Sequence, residues 1–182
     1  MTRRSTAVLS VGSNMGNRLA HLAGVVDGFT ASGDLVRAVS PVYVTPPWGG
    51  VEQDDFYNVT MIVEGERDGL SWLRRGAELE QAADRRREVR WGPRTLDVDV
   101  VAVRDDTGAP EFSGTDELTL PHPRAHERGF VLIPWLAADA DAVLDRPDGS
   151  SIRVADLVAE LDPAERDAIT PLGVDLPVGG GR

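Results

Sequence analysis

The run Leu96-Asp97-Val98-Asp99-Val100-Val101-Ala102-Val103 decides the fold. It is dense in β-branched residues and reads as a strand, the last in an alternation of strand and helix patterns. Just before it, Leu70 to about Asp84 has helical spacing behind a cap at Asp68 or Ser71. Phe56 to Glu66 reads as a strand with Val59, Met61 and Val63 on one face. Leu35 to Val44 is another, stopped by Thr45-Pro46-Pro47-Trp48-Gly49-Gly50, where two prolines and two glycines dictate a loop of preset shape. Leu19, Leu22, Val25, Val26 and Phe29 recur at helical spacing between Asn17 and Ala31, with Asn14 or Asn17 as cap. Ala7 to Val11 is a short buried strand closed by Gly12-Ser13-Asn14. The order β-α-β-β-α-β predicts an α/β (α+β) chain of the ferredoxin-like kind, with helices over one face of an antiparallel sheet.

Beyond Val103 the pattern continues as a C-terminal extension. A Gly-, Asp- and Thr-rich loop over 105–116 leads to Pro121, a packing segment from Phe130 to Leu136, and a helix from Val154 to Leu161. Residues 1–170 read as a single domain, and the tail 171–182, ending in three glycines and an arginine, is expected to be disordered. Of the 182 residues, 41% are hydrophobic and 27% charged, the profile of a globular domain. A net charge of −11 argues against a general nucleic-acid binder. There is no cysteine, so disulfides, thiolate nucleophiles and Cys-ligated metals are excluded. All 19 basic residues are arginines, which rules out a Schiff-base or P-loop lysine. No stretch approaches the ~18 apolar residues of a membrane span. The apolar run after Arg3-Arg4 ends too soon for a signal peptide, so a cytoplasmic location is expected.

Asp97 and Asp99 stand two apart on the strand, so they share a face with Cα atoms roughly 6.5–7 Å apart. Two readings stay open: a solvated strand end, or a hard-oxygen site for Mg²⁺ completed by phosphate. Just upstream, residues 85–94 hold five arginines and one glutamate, a net +4 in a chain of −11, which leaves −15 for the rest. Such a patch is either a basic helix end or a binding surface for polyphosphate, which guanidinium groups grip through paired oxygens. Glu80 falls two helical turns after Leu73 on the side that packs, and calls for an intramolecular cation or a ligand hydroxyl. His122, held between Pro121 and Pro123, is either a turn residue or a preorganised phosphate donor.

Six segments occur in a set order: Gly12-Ser13-Asn14, Thr45-Pro46-Pro47-x-Gly49, Phe56-Tyr57-Asn58, Arg90-Trp91-Gly92-Pro93-Arg94-Thr95-Leu96-Asp97-Val98-Asp99, Pro121-His122-Pro123 and Arg128-Gly129-Phe130. Together, over about residues 6 to 160, they resemble the 6-hydroxymethyl-7,8-dihydropterin pyrophosphokinase family of the folate pathway. The resemblance implies transfer of the ATP β,γ-pyrophosphoryl group to the pterin hydroxymethyl oxygen, with release of AMP. It implies Asp97 and Asp99 as ligands of two Mg²⁺ ions. Arg87, Arg94, His122 and Arg128 would contact phosphates, Arg85 would assist catalysis from a mobile loop, and Glu80 would sit near the nucleotide. Trp91, Phe56 and Phe130 would line the site, while Asn58 and the Thr45, Pro46, Pro47 and Trp48 backbone read the pterin edges. The implied partners are ATP and the pterin, with no nucleic acid and no membrane. Asp84 and Glu117 depart from the pattern, standing where members place a glycine and a nucleotide-contacting arginine. Two other classes remain: a module that binds nucleotide or pterin without turnover, and a different ATP-dependent transferase on the same fold.

Overall fold

A computed structural model of the chain describes residues 3–47, 52–83 and 95–178. Its first half contains β1 (Ser5–Ser13), α1 (Arg18–Ala31), β2 (Leu35–Val39), β3 (Tyr43–Thr45), β4 (Phe56–Gly65), α2 (Gly69–Ala82) and β5 (Asp97–Asp105). The second half contains β6 (Ser113–Gly114), β7 (Thr119–Leu120), a 3-10 turn (Ala125–Glu127), α3 (Gly129–Ala138), β8 (Val143–Asp145), β9 (Ser151–Arg153), α4 (Val154–Glu160), α5 (Pro163–Ala168) and β10 (Thr170–Pro171). Asn17, not Asn14, caps α1 by accepting from the Ala20 N–H, and Asp68 caps α2 by accepting from Ser71.

Six strands form the core sheet of a mixed α/β fold, in the order β10-β3-β4-β1-β5 with β2 also on β4, and every pairing is antiparallel. The strand expected over 35–44 is two strands, because Pro41 has no N–H to give to the ladder. Ser40 bridges the gap: its N–H donates to the Thr60 carbonyl at 2.9 Å, and its hydroxyl accepts from the Thr60 N–H at 3.0 Å.

Helices α1 and α2 cover one face. Leu22, Val25, Val26 and Phe29 meet Trp72 there over Leu9, Val11, Val59, Met61, Val63, Val98 and Val100. Phe29 and Trp72 pack tilted with ring centroids 5.8 Å apart. The expectation that helices cover only one face is corrected by the C-terminal extension. Val131, Leu132 and Trp135 of α3, with Leu144, Val154 and Leu157, bury Val101 and pack on Val8 and Ala102 on the other side. The cause is in the strands: Val8, Val101 and Ala102 place apolar groups on the second face, and these need a cover.

The tail differs from its expectation as well. Thr170 and Pro171 pair with Val44 and Tyr43, the Leu172 N–H donates to the Val42 carbonyl at 2.8 Å, and the Val42 N–H donates to Val174 at 3.0 Å. Leu176 is buried against the first core. The exposed edge of β3 supplies backbone groups that need partners, and residues 170–174 provide them. Residues 179–182 lie outside the described residues. Among the described residues no helix is long and apolar enough to cross a membrane.

Candidate active site

β5 is the outer strand of the sheet, and its first residues face β1, with Asp97 opposite Gly12 and Asp99 opposite Ser10. Val98 and Val100 point into the α1–α2 core, so Asp97 and Asp99 lie on the opposite face, half-buried. Between them the Val98 N–H donates to Glu80 Oε1 at 2.8 Å. Glu80 is only 6% exposed. A buried carboxylate on α2 thus takes up a backbone donor of the edge strand between the two aspartates. The pairing register slips beside Val101, which joins the second core while Val103 returns to the first. Strict alternation along the strand would put Val101 and Val103 both on the aspartate face; Val101 alone lies there, because a β-bulge reverses the alternation.

The His122 N–H donates to the carbonyl of this same Val101 at 2.8 Å. Its Nδ1 accepts from the Arg124 N–H at 3.2 Å, which fixes the neutral ring with its proton on Nε2. Burial, then the Arg128 charge, push the His122 pKa down to about 4, against the opposing pull of Asp97. Arg128 is buried, with its guanidinium 5.5 Å from the centroid of the Phe130 ring. Burial lowers its pKa first, and Asp99, followed by Asp97, acts in the opposite direction. His122, Arg128, Asp97 and Asp99 thus lie within one another's electrostatic reach. Arg128 is the N-cap residue of α3, two residues ahead of Phe130.

Thr45, Phe56 and Asn58 share a sheet face through the β3–β4 register, which pairs Thr45 with Phe56 and Tyr43 with Asn58. Buried Asn58 donates from Nδ2 to Thr45 Oγ1 at 2.6 Å. A Cβ at Gly12 would fall 2.3 Å from Asn58 Oδ1, so only glycine opposite Asn58 leaves room for that amide. Beside these residues opens a cavity of about 140 Å³, lined by Thr45, Pro46, Pro47 and Phe130 from the expected set. Glu165, Ala168 and Ile169 complete it. Sequence reasoning missed these three, although Asp162-Pro163-Ala164-Glu165 carries the Asp cap, first-turn proline and third-position glutamate of a helix start. It also missed Asn14 as a tether: its Nδ2 donates to Gln53 Oε1 and the Asp54 carbonyl, both at 2.9 Å, tying the end of β1 to the approach to Phe56.

Trp48, Arg85, Arg87, Trp91 and Arg94 lie outside the described residues, as does Asp84. Glu117 is exposed and pairs with Arg74 at 3.6 Å. Among the described residues no group of three or more His, Asp or Glu side chains is assembled to hold a metal. Asp97 and Asp99 offer two hard oxygen donors on one face beside a neutral histidine, a set that suits a divalent cation whose remaining ligands come from phosphate or water.

A family model for 7,8-dihydro-6-hydroxymethylpterin-pyrophosphokinase (HPPK) matches residues 8–140. The chain is 48% identical over 174 residues to a Mycobacterium tuberculosis 2-amino-4-hydroxy-6-hydroxymethyldihydropteridine pyrophosphokinase, over 93% of this chain and 89% of that one. Its identity to the Mycobacterium leprae protein of the same name is 50% over 175 residues, covering 93% of this chain and 88% of the relative. Among solved structures, a Plasmodium falciparum HPPK-DHPS superposes with a TM-score of 0.66 at 12% identity, over 94% of this chain and 49% of that chain. That likeness is one of fold, and the chain spans about half the length of the Plasmodium protein. By its family match and its close relatives, the chain belongs to the 7,8-dihydro-6-hydroxymethylpterin-pyrophosphokinase family.

Proposed function

We propose that this chain transfers pyrophosphate from ATP to 6-hydroxymethyl-7,8-dihydropterin, giving AMP and the pterin diphosphate for folate biosynthesis. The observation that carries the reading is one continuous face of the sheet. Asp97 and Asp99 on it act electrostatically on Arg128, and Asp97 on His122, while Thr45 of the same face lines the cavity beside Phe130. The pterin hydroxymethyl oxygen attacks the β-phosphorus of ATP. The bond from that phosphorus to the α–β bridging oxygen breaks, the electron pair leaves with AMP, and the hydroxyl proton passes to solvent.

On this reading Asp97 and Asp99 would hold two Mg²⁺ ions, whose charge would offset that of the triphosphate. His122 donates from Nε2–H as a neutral group, so it adds a hydrogen bond without repelling a cation held by the neighbouring aspartates. Arg128 supplies a fixed positive charge, and its burial strengthens what it does for a phosphate oxygen. Phe130 and Phe56 stack on the pterin, while Asn58 and the backbone of Thr45, Pro46, Pro47 and Trp48 read its amide edge. Arg85 and Arg94 act in catalysis, Arg87 and Trp91 in nucleotide binding, and Glu80 lies near the nucleotide. That set rests on the family resemblance of residues 90–99 and of the arginines before them.

The same reading takes residues 1–170 as one domain working in the cytoplasm. It takes the sheet as ferredoxin-like, with β2 and β3 counted as one interrupted strand in the order β5-β1-β4-β3; the antiparallel pairings support it. Incubation with ATP, Mg²⁺ and the reduced hydroxymethylpterin, followed by chromatography of the nucleotides, tests the function. AMP as the pterin-dependent product is the expected result. ADP as the main product overturns pyrophosphoryl transfer, and binding of both ligands with no nucleotide turnover turns the protein into a sensing module.

A further inference from the structure

We infer that the C-terminal arm, residues 162–176, is a working part of the substrate cavity. In it Glu165 positions the Arg128–Phe130 segment, and Ile169 with Ala168 limits the size of the ring system that enters. The inference rests on the reading above that Phe130 and residues 45–47 receive the pterin.

Three observations carry it. First, Glu165 Oε1 accepts from the Gly129 N–H at 2.9 Å. Gly129 opens the ten-residue helix α3, where the first N–H groups have no helical partner and a carboxylate is favoured by the helix dipole. The contact fixes the backbone between Arg128 and Phe130, one assigned to phosphate and the other to pterin. Second, the approach leaves no slack: a Cβ at Gly129 would sit 2.7 Å from Ile169 Cδ1 and 2.9 Å from Glu165 Oε1. Third, the far end of the arm is anchored to the strand that runs into the opposite wall. Thr170 pairs with Val44, Leu172 and Val174 hydrogen-bond to Val42, and Leu176 is buried. One short segment is therefore tied both to Gly129, beside Phe130, and to the strand that leads into residues 45–47, and its Ala168 and Ile169 line the cavity with them. This arm lies beyond residues 8–140, which the family model matches.

Steady-state kinetics on the full chain, with near-UV circular dichroism on each variant, tests the assignment. Glu165→Ala is expected to raise the KM for the pterin about tenfold, with a smaller rise in the KM for ATP through Arg128. Glu165→Gln, whose amide oxygen still accepts from Gly129, restores most of the loss. Ile169→Ala is expected to raise kcat/KM for a ring-alkylated dihydropterin about tenfold relative to the parent pterin. Equal pterin KM in wild type and Glu165→Ala, or an unchanged analogue ratio in Ile169→Ala, overturns the inference. If Glu165→Ala loses its near-UV signal, the Ile169→Ala ratio decides alone. Phe130→Ala separates the two levels. If it weakens the pterin and the arm variants do not, the arm inference alone falls; if it leaves the pterin KM unchanged, the cavity reading falls with it.

Discussion

Replacing Glu80 by alanine separates a structural use of this carboxylate from a nucleotide contact. Its Oε1 takes up the N–H of Val98, an edge-strand donor at 2.8 Å, at a position only 6% exposed. Glu80→Ala leaves that N–H without its acceptor at a site water reaches poorly, which costs about 1–3 kcal/mol. A domain of this size loses about 2–4 °C of Tm per kcal/mol, so a cost near the middle of that range lowers Tm by about 4–8 °C. Because Val98 lies between Asp97 and Asp99, release of its N–H also loosens the spacing of the two carboxylates, and turnover falls with stability. Glu80→Gln keeps an oxygen in place and should recover most of the Tm. Thermal unfolding by circular dichroism gives the first quantity, and amide hydrogen exchange at Val98 gives the second, with protection expected to drop in the alanine variant. An unchanged Tm in Glu80→Ala, or a glutamine variant that melts with the alanine one, refutes the backbone-acceptor argument. A contact from Glu80 to the nucleotide shows itself separately, as a raised KM for ATP in Glu80→Gln with its Tm intact.

Asp97→Asn and Asp99→Asn should each cut turnover at least about a hundredfold, yet leave Tm unchanged or slightly raised because a like-charge pair is removed; near-normal turnover at limiting Mg²⁺ removes that residue from the metal site. His122 titrates near 4 in the folded chain, below its ordinary 6.5, so its stabilising contribution is complete above about pH 6.5 and is lost as pH falls toward about 4. His122→Gln should therefore lose less Tm than wild type between pH 7 and pH 4.5, and parallel losses would contradict the assignment. Gly12→Ala pushes a methyl group against Asn58 Oδ1, breaks its contact with Thr45 and costs about 1–3 kcal/mol. Fluorescence titration should then show weakened pterin binding with ATP binding preserved, and equal loss of both points to general unfolding instead.

What the sequence revealed follows from how local each signal is. The helices behind Asn17 and Asp68 and the strands around Val59 and Val98 announce themselves through side-chain periodicity, and the structure has them within a residue or two, each cap being one of the two residues the sequence offers. The Asp97/Asp99 pair was legible because a spacing of two on a strand needs no tertiary knowledge. The split at Pro41 was written in the proline, yet the Ser40 bridge that keeps the two pieces on one sheet comes from Thr60, twenty residues away. The ordered tail was hidden because Leu172, Val174 and Leu176 are scattered among Pro, Gly and Asp, and gain order only from an edge strand far upstream. Glu80 stands between these cases: the helix side was readable from Leu73, but not its partner, since a backbone N–H has no signature in sequence. Glu165 failed for the same reason, its acceptor role being set by Gly129, distant in sequence.

The bulge at Val101 explains why polar chemistry and apolar packing share one face of β5 without conflict. In a strictly alternating strand, Asp97, Asp99, Val101 and Val103 would all lie under the α3 layer. The slip ends that series at Val101 and sends Val103 back to the first core. The aspartates are thereby confined to the end of the strand, and α3 closes over Val101, Val8 and Ala102 only. The same residue also gives its carbonyl to the His122 N–H, so the departure from regular pairing docks the histidine beside the carboxylates. The trace of this in the sequence is the doubled Val100-Val101 within Asp-Val-Asp-Val-Val-Ala-Val, where two neighbouring residues are both buried, one in each core. A one-residue slip of this segment would turn Asp97 and Asp99 toward α2 and, with them, Val98 and Val100 toward the polar side. That coupling of phase to chemistry makes β5 the element on which the arrangement of the site depends.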